Sequence, residues 1–150
     1  MTTMTAMTTN QHLIKLTADW NVFSMKLRHY HWNVKGPHFY TLHAKFEELY
    51  NEAGQYVDEF AERVLALGGK PIGTYGETLQ ETRLKEASGK ESSEEMVAAI
   101  REDFLQMVAF LQEGIETAQQ ENDEPTADML IGTQGNLQKH IWMLGAFLDA

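Results

Sequence analysis

Four long stretches of this sequence set apolar residues three and four positions apart, the repeat of one helix face rather than of a strand. The first runs Leu13, Leu16, Trp20, Phe23, Leu27, His31, Val34, and the second Phe39, Leu42, Phe46, Leu49, Ala53, Val57, Phe60, Val64, Leu67. The third carries Met96, Ile100, Phe104, Met107, Leu111, Ile115 and Ala118. The fourth carries Leu130, Thr133, Leu137, Ile141, Leu144 and Leu148, broadened by Trp142, Met143 and Phe147. No segment alternates as a strand would, and no internal repeat or low-complexity tract is present.

The punctuation agrees with the periodicity. Thr8, Thr9 or Asn10 can cap the first helix. Gly36-Pro37 ends it, and Gly68-Gly69 followed by Lys70-Pro71 ends the second. Ser92 with Glu95 makes a capping box for the third. Asp123 or Thr126 caps the fourth, and Pro125 is tolerated in a first turn. Between Pro71 and Glu91 the chain is long for a simple loop. A short helix is predicted there from Thr78 to Glu86, anchored by Leu79 and Leu84, with a turn at Ser88, Gly89 and Lys90. Short links join helices one and two and helices three and four, so each pair should form an antiparallel hairpin. The expected fold is all-α: a four-helix bundle of ferritin-like topology, with the short extra helix in the crossover between helices two and three. At 150 residues the chain reads as one domain, 1–150, with residues 1–9 as a flexible N-terminal tail.

Composition narrows the chemistry. There is no cysteine, which removes disulfides, thiolate zinc sites, iron–sulfur clusters and cysteine nucleophiles, and which suits a reducing compartment such as the cytoplasm. No apolar run is long enough to span a bilayer, and the N-terminus lacks the basic and apolar regions of a signal peptide. Twelve basic against 22 acidic residues give a formal charge of -10, which disfavours nucleic acid and favours cations. The first fourteen residues contain no Lys or Arg.

Four residues of metal-ligating type stand near the first hairpin: His31 and His43 flank the Gly36-Pro37 turn, and Asp58 and Glu62 lie one helical turn apart on helix two. Fifteen residues of helix separate His43 from Asp58, a rise of roughly 22 Å, while ligand bonds are only about 2 Å long. Either the two pairs are unrelated, or a second copy of the chain completes each one. A twofold, head-to-tail pair of chains could bring the histidine end of one hairpin to the acidic pair of its mate, generating two equal sites. Two imidazoles with two carboxylates suit Fe(II), with Zn(II) as the substitute. Taken singly, each residue also has a plain structural reading: a satisfied core histidine, or a solvated helix face. The usual bundle-centred di-iron site is absent, because the chain has no Glu-x-x-His and its fourth helix offers only His140.

The run HYHWNVKGPHFYTLHAKFEELYNEAGQYVDEFAERVLALGGKPIGT, with the spacing His31-x11-His43-x14-Asp58-x3-Glu62, closely resembles the Dps miniferritins, DNA-binding proteins from starved cells. The segments PTADMLIG and KHIWMLGAFL resemble that family's last helix. The resemblance implies a ferroxidase that oxidises Fe(II), preferentially with hydrogen peroxide, and stores non-haem ferric mineral in a hollow dodecamer of 23 symmetry. It assigns His31 and His43 of one subunit, with Asp58 and Glu62 of its twofold mate, as the iron ligands. Trp32 matches the tryptophan beside that site, and Glu47 the acidic residue that helps hold a second, weaker iron. Glu47, Glu48 and Glu52 match ferric nucleation groups, and Asp128, Glu124 and Glu121 match an acidic threefold pore. The family's lysine-bearing DNA-binding tail has no counterpart here, where threonines and methionines precede Lys15, so DNA binding by that route is not expected. The alternative is a DNA-binding, nucleoid-protective protein with little ferroxidase role.

Overall fold

A computed structural model describes residues 6–149. It contains α1 (Thr9–Asn33), α2 (Phe39–Ala66), α3 (Tyr75–Glu81), α4 (Ser93–Gln120) and α5 (Glu124–Leu148). Helix α1 packs along α2 and α4 along α5, α1 also lies against α4, and α3 rests on α1. The two hairpins and the long crossover give the all-α, ferritin-like bundle that the sequence predicts.

Local chemistry explains each boundary. Thr8 caps α1: its hydroxyl accepts from the Gln11 backbone N–H, and Gln11 Oε1 accepts from the Thr8 N–H at 2.8 Å. The helix therefore takes up the end of the segment read as a tail. Thr9 is buried, and its N–H and hydroxyl both bond the Glu121 carboxylate across the molecule. Residues 1–5 of that tail lie outside the described residues. At the first hairpin Gly36 sits at φ +108°, a conformation that L side chains rarely adopt. Ser92 and Glu95 form the predicted capping box, and Asp123 caps α5 ahead of Pro125.

Two expectations need correction. The short helix lies at Tyr75–Glu81 rather than Thr78–Glu86, because Thr74 caps it by accepting from the Glu77 N–H. It stops early because Asp19 of α1 captures the next residues, taking hydrogen bonds from the Thr82 hydroxyl and the Arg83 N–H. Leu84 is buried as an anchor, but at a bend beyond the helix, while Leu79 faces outward. Trp142, Met143 and Phe147 do not broaden the inner stripe of α5 either; all three are exposed.

The core is aromatic at its centre. Phe23 of α1 meets Phe104 of α4 edge-on at 4.9 Å, and Trp20 stacks on Tyr56 at 4.5 Å. Such pairs add about 0.5–1.5 kcal/mol each beyond their area burial. Three further contacts fasten the crossover to α1. Arg83 grips buried Asp19 through Nε and Nη2. Lys26 hydrogen-bonds the Lys85 carbonyl while lying 2.8 Å from Asp103 of α4. The Tyr30 hydroxyl donates to Glu91.

Candidate metal centre

The ends of α1 and α2 bring His31 and His43 together across the Gly36 turn. Each Nδ1 lies 2.7 Å from the other residue's backbone carbonyl oxygen. A carbonyl can only accept, so each Nδ1 carries a proton, and in the neutral imidazole each Nε2 keeps its lone pair. This reciprocal pairing fixes both tautomers, as hydrogen bonds to the second ring nitrogen commonly do for metal-ligating histidines. The rings are stacked at 3.8 Å and 13°. Phe39 continues the stack on His43, and Tyr50 meets His31 edge-on. Glu47 lies one turn beyond His43, with Oε1 3.8 Å from His31 Nε2.

Asp58 and Glu62 project from α2 into solvent. The hydrogen bond and the negative charge of Asp58 raise the pKa of Glu62 above its ordinary value. Two adjacent carboxylates repel one another and favour a cation between them. Among the described residues, no three His, Asp or Glu side chains of one chain form a metal-holding group. The two pairs are thus each assembled, and α2, which carries His43 and both acids, holds them apart.

The other residues singled out from the sequence fall in three settings. Trp32, 64% exposed, lines a groove of about 540 Å³ between α1 and α3 together with Met25, Tyr75 and Leu79. Glu48 pairs with Lys45 on the exposed face of α2, and Glu121 is engaged by Thr9. Glu124 and Asp128 are exposed in the first turns of α5. Glu52 is tied into a cluster that sequence reasoning missed. His140 Nε2 lies 3.1 Å from both its oxygens, and Asn136 donates to it and to the Tyr56 hydroxyl. Burial works to raise the Glu52 pKa, but the contacts from His140 and Asn136 win and lower it. The partners lie more than eighty residues apart in sequence, and only the isolated polar His140 on an apolar stripe hinted at them.

Comparison with known proteins agrees with this architecture. The family model of the ferritin-like domain matches residues 10–150. The chain is 50% identical over 137 residues to DNA protection during starvation protein 2 of Bacillus anthracis, covering 91% of this chain and 94% of that protein. The crystal structure of a Dps protein from Bacillus brevis superposes with a TM-score of 0.93 at 48% identity, covering 94% of this chain and 95% of the other. Dps from Staphylococcus aureus gives 0.93 at 46% identity, covering 95% of each chain. The fold places the protein among the ferritin-like proteins. Within that class, the chain belongs to the Dps family. No helix among the described residues is long and apolar enough to cross a membrane.

Proposed function

We propose that this protein is a ferroxidase and iron store that guards DNA by removing Fe(II) and hydrogen peroxide together. The observation that carries the reading is the reciprocal hydrogen bonding of His31 and His43, which leaves two Nε2 lone pairs ready for metal. The cation-poor pair Asp58 and Glu62 supplies the complementary half from a twofold mate. The exposed apolar groove around Trp32, Met25 and Leu79 adjoins the histidine half-site, and such patches mark contact surfaces. In the assembled shell, a dodecamer of 23 symmetry, each seam joins one subunit's histidines to its neighbour's acids.

Imidazole lone pairs lie in the ring plane, and two nearly parallel rings share no point where one ion could meet both. The histidine pair therefore serves two ions: one completed by the mate's Asp58 and Glu62, and a second, weaker one near Glu47. Two Fe(II) ions each give up one electron to hydrogen peroxide. Its O–O bond breaks, two protons are taken up, and two waters leave without a free hydroxyl radical. Ferric ions then hydrolyse and release protons against carboxylates of the inner face, for which Glu47 and Glu48 are the candidates. Glu124 and Asp128 are the candidates for the entry pore. Acid opposes uptake, because protonated imidazole cannot bind metal.

The test is Asp58→Asn with Glu62→Gln. The initial rate of peroxide-dependent Fe(II) oxidation should fall by at least about a hundredfold, the upper end of what losing a group that merely orients a metal ligand costs, with the shell intact by light scattering. An unchanged rate would sink the assignment.

The second reading, direct DNA binding with little ferroxidase activity, is favoured by the name of the Bacillus anthracis relative, which speaks of DNA protection rather than iron. Against it stand the net charge of -10 and the pairing of Lys15, Lys26, Lys45, Arg63 and Arg83 with acids. A gel shift at low salt without Mg²⁺ separates the two. Robust retardation by a variant that no longer oxidises Fe(II) would establish the second.

A further inference from the structure

We infer that Tyr50 is a positioning residue that steers Glu47 onto the histidine pair and so sets the affinity of the second metal ion; the inference rests on the reading proposed above. Four side chains meet across the seam between α1 and α2, three of them (His31, Glu47 and Tyr50) in mutual contact. Arg28 and His31 project from α1, and Glu47 and Tyr50 from α2, each pair one helical turn apart. Tyr50 touches all three of the others. Its ring meets the His31 imidazole edge-on, at 5.3 Å and 79°. The Arg28 guanidinium carbon lies 4.9 Å over the ring. Its hydroxyl donates to Glu47 Oε1, the same oxygen that approaches His31 Nε2.

The geometry matters because Glu47 has little else to hold it. Its side chain is 54% exposed, and a free glutamate there would sample many rotamers. Tyr50 is half-buried, and its ring is fixed between a cation and an imidazole, so its hydroxyl is a rigid donor. At 3.4 Å the bond is long for O–H···O. The plain alternative is that Tyr50 only packs. That role needs the ring but not the hydroxyl, so Tyr50→Phe separates the two: it keeps the edge contact, the Arg28 stack and the buried surface.

The experiment is anaerobic calorimetric titration of the assembled protein with Zn(II), on wild type, Tyr50→Phe, Glu47→Gln and the double variant. Wild type should bind two ions per histidine pair, one tighter than the other. Tyr50→Phe should leave the tight step unchanged and weaken the other about tenfold, the lower end of the loss seen when a residue orienting a metal ligand is removed. In Glu47→Gln, adding Tyr50→Phe should cost nothing more, since both act through one carboxylate. Two unchanged steps in Tyr50→Phe, or losses that simply add in the double variant, would overturn the positioning role while leaving the metal centre standing. Failure of the wild type to bind a second Zn(II) would overturn both.

Discussion

Two charged regions of this molecule are built on opposite plans. Along the crossover, one chain satisfies its own charges: Asp19 is wholly buried and takes four hydrogen bonds from Thr82 and Arg83. Midway along the second helix, Asp58 and Glu62 stand exposed beside each other, and among the described residues no cation pairs with either. A buried ionic cluster that is complete fixes one conformation at a large desolvation cost. An exposed cluster of like charge contributes no stability of its own and waits for a cation. The first plan closes the fold; the second leaves charge at the surface.

The largest effect should come from breaking the complete cluster. Asp19→Ala leaves Arg83 without its partner and should cost about 3–5 kcal/mol in denaturant unfolding. Replacing both partners with apolar residues, Asp19→Leu with Arg83→Met, should cost much less. Burial favours that outcome, since desolvation raises the Asp19 pKa in spite of Arg83. If the double replacement proved as damaging as the single, the buried pair would be a net source of stability rather than of specificity.

An intermediate effect should follow acid titration. Partial burial works to raise the Glu91 pKa, but hydrogen bonds from Tyr30 and the Ser88 backbone pull it down to about 2 from an ordinary 4.5. A carboxylate with a depressed folded pKa stabilises above its unfolded pKa and loses that contribution as pH falls toward the folded one. Glu91→Gln should therefore lower stability at neutral pH and flatten its decline between 4.5 and about 2. Parallel acid limbs for the two proteins would contradict this.

The smallest effect carries the opposite sign. The pKa of Glu62 is raised by Asp58, so its contribution is most favourable when protonated and is lost as pH rises through the folded value. Glu62→Gln should slightly raise the melting temperature of the metal-free protein at neutral pH and low salt, and added salt should erase the gain. A drop in melting temperature would mean that Glu62 has a partner within its own chain.

The bundle itself was legible because stripes and caps are local signals. Thr8, Ser92 with Glu95, and Asp123 act within three residues of themselves, where sequence can be read directly. The approach of His31 to His43 was legible too, since a tight turn between two helices leaves few alternatives. The exchange of Nδ1–carbonyl hydrogen bonds was not, because it depends on how the two helix ends meet. The displacement of the short helix had the same cause. Asp19 reached across 63 residues to stop it at Thr82, and nothing in the local pattern marks such a partner. The pairing of Glu52 with His140, 88 residues apart, was missed for that reason as well.

The amide-and-hydroxyl clasp between Thr9 and Glu121 has a practical corollary. It moors the leading end of the first long helix beside the bend that joins the last two. A peptide or dye grafted just upstream of Thr8 would start its path at that corner of the bundle. Where such cargo emerges is therefore governed by Glu121, and Glu121→Ala would be the simplest way to loosen it.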